Sequence, residues 1–175
     1  MTDNAPQRAT WALMSRSPAC WIAFGFGSGL SPRAPGTVGT LWAWLSFALL
    51  APWLGDVSWA LLIGGGTLVG WWACTRAAQA LRVADPGAVV WDEVLAFWLV
   101  LWLMGPSSGL AQLIAFALFR LFDADKPGPV GWADRCFKAE RGAPIGWAQG
   151  FGILWDDFVA AGCTLGTLAL WRAFA

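Results

Sequence analysis

Three pairs of carboxylates interrupt a chain otherwise built from long apolar runs: Asp92-Glu93 ahead of Val94 to Met104, Asp123 and Asp125 after Leu110 to Phe122, and Asp156-Asp157 ahead of the last apolar stretch. Burying such groups unpaired is prohibitive, so acids that recur at the ends of apolar runs collect there for a metal or a proton. The 175 residues are 58% hydrophobic and 13% charged, with a mean hydropathy of +0.56. A soluble domain carries roughly 25% charged residues. The expected fold class is therefore all-α, a polytopic membrane helical bundle of about four to five transmembrane helices. Residues 1–20 read as a polar N-terminal segment and 21–175 as a single membrane-embedded catalytic domain.

The apolar runs predict helices over residues 38–54, 58–80, 88–104, 110–122 and 153–171. Several are short of the ~20 residues that a roughly 30 Å hydrocarbon core requires, which places their polar ends at the interface or inside the bundle. Gly64-Gly65-Gly66 and Gly70 suit close helix approach, within the chain or between copies in a homo-oligomer. Residues 21–30 are too short and too Gly-rich to span, and read as a re-entrant or interfacial segment. The polar start, MTDNAPQRATWALMSRSP, is not expected to act as a cleaved signal.

Charge placement orients the bundle. With a cytoplasmic N-terminus, the inner segments 1–37, 76–93 and 120–152 hold Arg8, Arg16, Arg33, Arg76, Arg82, Arg120, Lys126, Arg135, Lys138 and Arg141, and only Arg172 lies at the far end. Basic residues favour the cytoplasmic side. The same topology brings all three acidic pairs to one face.

Composition excludes several chemistries. A net charge of zero gives no basic face for nucleic acid. The absence of His removes His-dependent zinc sites, His-based triads and histidine lipid phosphatases. Cys20, Cys74, Cys136 and Cys163 are far apart and read as single buried thiols. Cys136 to Arg141 is one residue too short for the Cys-x5-Arg of a cysteine phosphatase.

What remains is hard-oxygen chemistry. Asp92, Glu93, Asp123, Asp156 and Asp157 are candidate metal ligands, and without imidazole or paired thiolates Mg2+ is the natural occupant. Arg120 and Lys126 stand beside these acids and suit a phosphate whose charge the metal also neutralises. The loop around Gly27, Ser28 and Gly29, with Thr37 and Thr40 at the next helix start, offers amides and hydroxyls for a phosphate or headgroup. A helix cap, an interfacial salt-bridge cluster and a plain Gly/Ser turn are the structural alternatives for these three features.

The motifs GFGSGLSPRAPGTVGT, AVVWDEVLAFW, FRLFDADKPGPVGWADR and GFGILWDDFVAAG, in that order over roughly residues 22 to 162, resemble those of the phosphatidylglycerophosphatase A family. The resemblance implies a bacterial inner-membrane, Mg2+-dependent enzyme that removes the terminal phosphate of phosphatidylglycerophosphate to give phosphatidylglycerol. By motif it implies catalytic roles for Asp92, Glu93, Asp123, Lys126, Asp156 and Asp157. Attack by an activated water, with a base from Asp92/Glu93 or Asp156/Asp157, is preferred to a covalent phosphate on Asp123, because an Asp-x-Asp nucleophile belongs at a strand end and this one follows an apolar helix. An ion or proton carrier is the competing class, and would need acids stepping across the bilayer. A membrane-interface phosphotransferase would need an Asp-Gly…Ala-Arg run that the chain lacks.

Overall fold

The computed structural model describes residues 6–138 and 144–174; Arg141, one of the cations counted above, lies outside them. Among the described residues all regular structure is helical. The elements are α1 (Trp11–Arg16), α2 (Pro18–Ala23), a short 3-10 helix (Gly25–Leu30), α3 (Pro35–Leu50), α4 (Asp56–Leu81), α5 (Trp91–Met104), α6 (Gly109–Asp125), α7 (Pro129–Cys136) and α8 (Trp147–Phe174).

Among the described residues two helices, α4 and α8, are long and apolar enough to cross a membrane, not the four to five that the sequence predicts. At 1.5 Å per residue they reach about 39 and 42 Å, whereas α3, α5 and α6 reach only about 24, 21 and 26 Å. The long apolar runs are cut by turns: Gly105 and Pro106 end α5, and the turn and non-helical backbone of residues 86–90 delay its start. The Gly-rich segment is also not a re-entrant loop. It forms 3-10 turns on either side of a kink, with Gly25 and Gly29 buried against Val90 and Ala88. Phe26 and Gly27, at φ 55° and 106°, turn the chain there.

The apolar sequence of α5 is explained by its position. It packs against α3, α4, α6 and α8, and Trp91 to Trp98 is buried without a break. A helix apolar all round belongs at the centre of a bundle. The surrounding helices keep apolar residues on their outer faces instead: Leu41, Leu45 and Leu49 on α3, Leu61 and Leu68 on α4, Leu170 and Trp171 on α8 are exposed. So large an exposed apolar surface marks contact with lipid or protein.

Between helices in hydrocarbon, close packing and hydrogen bonds replace the hydrophobic driving force. Tryptophan supplies both. The Trp98 indole donates to the Ala43 carbonyl and the Ser46 hydroxyl (3.0 Å each), Trp44 to Gln112 (2.7 Å), and Trp91 to the Gly66 carbonyl (3.1 Å). Gly70 makes the last contact possible, because a Cβ there would lie 2.6 Å from the Trp91 ring. Two of the four glycines expected to allow close approach, Gly66 and Gly70, are thus used inside the bundle. All four cysteines are free thiols; Cys20 and Cys74 are buried as expected, but Cys136 is exposed at the end of α7.

Candidate active site

Three helices, α5, α6 and α8, deliver the acids to one end of the bundle. Asp92 and Glu93 occupy the first turn of α5, whose start is fixed by the Val90 amide donating to the Ala23 carbonyl (2.9 Å) and by the Trp91 indole on α4. Asp123 lies in the last turn of α6. Asp156 and Asp157 sit in the interior of α8, because that helix begins at Trp147 and not near Ile153. The start of α8 is extended by Gln149, whose side-chain oxygen accepts from the Gly146 amide (2.8 Å). This is half of a capping box. Gly150, one turn on, lets α8 lie directly on Thr75 of α4.

All five acids are between 3% and 9% exposed. One oxygen each from Asp92, Glu93 and Asp157 lie within 4.8 Å of one another. Four buried oxygens, Asp92 Oδ1, Glu93 Oε2, Asp156 Oδ1 and Asp157 Oδ2, have no hydrogen-bond partner. Such groups are costly without a counter-charge. Asp125, by contrast, is exposed and does not join the cluster.

Two cations border the acids. Arg120 pairs with Asp123, reaches Glu93 Oε1 at 3.6 Å and donates to Thr40 Oγ1 at 3.4 Å. The first turn of α3 closes over this group at Gly36, where a Cβ would meet the Glu93 carboxylate and come within 3.1 Å of both guanidinium nitrogens. Lys126 ends α6 in the left-handed conformation, a favourable place for a cation. Its Nζ donates to Asp134 (2.6 Å) and Asp156 (2.5 Å), and Asp134 also pairs with Lys138. Burial disfavours the charge on Lys126, but the two carboxylates outweigh it and hold the ammonium pKa above its usual value. Burial likewise pushes Asp134 up, and its bonds to Lys126 and Lys138 override this to hold it below the ordinary carboxylate value.

The Gly-rich loop is organised internally. The Gly27 and Gly29 amides both donate to the Phe24 carbonyl at 3.0 Å, and the Ser28 hydroxyl donates to the Gly25 carbonyl at 2.9 Å. Thr37 lies in the first turn of α3, half-buried, and the helix is entered from Ala34 without a side-chain cap. Asp134 escaped the sequence reading, although it stands in the GWADR end of a quoted motif. Its signal was a carboxylate eight residues after Lys126, across a Pro-Gly-Pro turn that sets α7 against α8 and brings Asp134 back to Lys126.

Buried acids beside an arginine and a lysine, in a helical protein with apolar outer faces, form a site of the chemistry that suits a hard cation and a phosphate. The chain belongs to the phosphatidylglycerophosphatase A family, whose model matches residues 21–172. It is similar to phosphatidylglycerophosphatase A of Escherichia coli (strain K12), 34% identical over 156 residues covering 89% of this chain and 84% of the relative. It is also similar to phosphatidylglycerophosphatase A of Haemophilus influenzae, 36% identical over 161 residues covering 92% and 91%. No solved structure matches it. Members of the family are generally Mg2+-dependent, and membership together with the apolar helices supports a location in the bacterial inner membrane.

Proposed function

We propose that Asp92, Glu93, Asp123, Asp156 and Asp157 form the catalytic centre of this enzyme and that Arg120 and Lys126 engage the substrate phosphate. The reaction is that of the family: hydrolysis of the terminal phosphate of phosphatidylglycerophosphate to phosphatidylglycerol and orthophosphate. The observation that carries the site assignment is the set of four buried, unpartnered carboxylate oxygens. A hard divalent cation fits them, since every donor is an oxygen and the chain has no His. Asp92, Glu93 and Asp157 would hold Mg2+, with Asp123 and Asp156 adjoining. When bound, the ion neutralises phosphate oxygens and assists deprotonation of water.

The chain's own groups account for the remaining steps. Arg120 is braced by Glu93, Asp123 and Thr40, so its planar fork is held ready for phosphate oxygens. Lys126 adds a point charge on the α6 side. Water attacks phosphorus in line, and a buried carboxylate with a free oxygen takes its proton. The bond from phosphorus to the glycerol oxygen breaks, and that oxygen leaves as a hydroxyl after accepting a proton. The pairing of Asp123 with Arg120 supports water, not Asp123, as the nucleophile. The phosphate contact rests on Arg120 and Lys126 more than on Gly27, Ser28 and Gly29, whose two glycine amides and serine hydroxyl are already engaged.

Placing this end of the bundle at the cytoplasmic surface of a multi-pass protein is supported by the basic residues around it, Arg76, Arg82, Arg120, Lys126, Arg135 and Lys138. The lipid tails then stay in the bilayer while the phosphate enters the acidic pocket. The test is phosphate release from phosphatidylglycerophosphate by purified protein, with and without Mg2+, alongside Asp92→Asn and Asp156→Asn. Metal-dependent release lost in both variants is expected; full activity in either would remove that residue from the centre.

A further inference from the structure

Beside Asp156, between the connection preceding α5, the end of α7 and the first turns of α8, lies a cavity of about 230 Å³ that the chemistry above does not use. Asp85, Asp134, Lys138, Gln149 and Asp156 supply its polar lining, and Phe137 one apolar wall. At ~30 Å³ per water it has room for about eight waters, more than a six-heavy-atom triol needs. The α7 wall stands so close to α8 only because residue 152 is glycine: a Cβ there would lie 2.6 Å from the Phe137 Cβ.

The charges around the cavity say what it would hold. An alternating chain runs inward from Lys138 to Asp134, Lys126 and Asp156; Lys126, 2.6 and 2.5 Å from its two carboxylates, stands outside the cavity lining. Among the described residues, three carboxylates line the cavity against one cation, Lys138. Asp156, 6% exposed, keeps an unpartnered Oδ1. A phosphate dianion would be repelled here, whereas a neutral hydroxyl that donates would be held. Lys138, 61% exposed in its side chain and paired with Asp134, is the cation at the cavity's exposed edge, where an anionic diester would lie.

We propose that this cavity is the subsite for the glycerol unit carrying the terminal phosphate, with Asp85 accepting the hydrogen bond of its free hydroxyl and Lys138 facing the bridging phosphodiester. The assignment rests on the reading of the adjacent carboxylates as the hydrolytic centre. It makes the cavity the determinant of headgroup selectivity: a lipid whose phosphate monoester sits directly on diacylglycerol fills the catalytic end and leaves the subsite empty.

The experiment compares kcat/KM on phosphatidylglycerophosphate and on phosphatidic acid of the same acyl chains, with Mg2+ in mixed micelles, for the wild type, Asp85→Asn and Lys138→Met. The wild type is expected to prefer phosphatidylglycerophosphate. Each substitution is expected to lower the ratio of the two kcat/KM values about tenfold, mainly through KM, as loss of a charge-assisted hydrogen bond implies. An unchanged ratio in both active variants, or a wild type without preference, overturns the subsite while leaving the hydrolytic centre standing. Release from neither lipid by the wild type overturns the hydrolytic reading, and the subsite with it. Both substituted residues lie at the rim and Asp85→Asn is isosteric, so the ratio is read on folded protein.

Discussion

Replacing Lys126 by Met tests the ionic frame of the site most directly. The ammonium is shared between Asp134 at 2.6 Å and Asp156 at 2.5 Å, and its side chain is 28% exposed against 11% and 9% for its partners. Removing it strands Asp156 and leaves Asp134 with Lys138, a loss of about 3 kcal/mol, the low end for a broken buried pair because the lysine retains some contact with water and Asp134 keeps a second cation. Asp134→Asn leaves Lys126 its second partner and should cost only about 1.5 kcal/mol. The double variant should stay near 3 kcal/mol instead of the additive ~4.5, a coupling of about 1.5 kcal/mol. Unfolding by sodium dodecyl sulfate in mixed micelles, followed by the fluorescence of the 15 tryptophans, measures all three. A Lys126→Met cost under about 1 kcal/mol, or strict additivity in the double variant, would refute the reasoning. Phosphate release should be lost in Lys126→Met whatever its stability.

Three further outcomes are expected. Mg2+ at a hundred times its Kd should stabilise the protein by about 2.7 kcal/mol, and Asp157→Asn should abolish this increment in the same unfolding assay, as chelation does for the wild type. Gly70→Ala, whose Cβ would lie 2.6 Å from the Trp91 ring, should cost about 1–3 kcal/mol by overpacking α4 against α5, seen as an earlier unfolding midpoint. The stability difference between wild type and Asp134→Asn should depend on pH at both ends of the scale. The folded-state value of Asp134 is depressed, so its contribution is present above the ordinary carboxylate value of about 3.9 and lost as pH falls through the folded one. That of Lys126 is raised, so its contribution is complete below about 10.4 and lost as pH rises through the folded value. A difference that varies steadily between about pH 5 and 9 would contradict both assignments.

The sequence by itself determined the all-helical class and the family, and it singled out the acids and cations proposed for the site, because each depends on residue type and short-range order along the chain. Asp92-Glu93 and Lys126 were legible in this way: charges beside apolar runs cannot be indifferent to their surroundings. Tertiary structure decided what depends on length and neighbours. Where a turn cuts an apolar run decides whether a helix can span, which is why α3, α5 and α6 fell short while the extended α4 and α8 did not. The same applies to Asp156-Asp157, which read as the start of a helix but lies in the interior of α8, since the Gln149 cap begins that helix further upstream. Asp134 gained its place only when the Pro-Gly-Pro turn folded α7 back onto Lys126, and Asp85 came to the cavity beside Asp156 through the packing of α4, α5 and α8. Residue type sets which groups need a partner; only the packed helices choose which partner each receives.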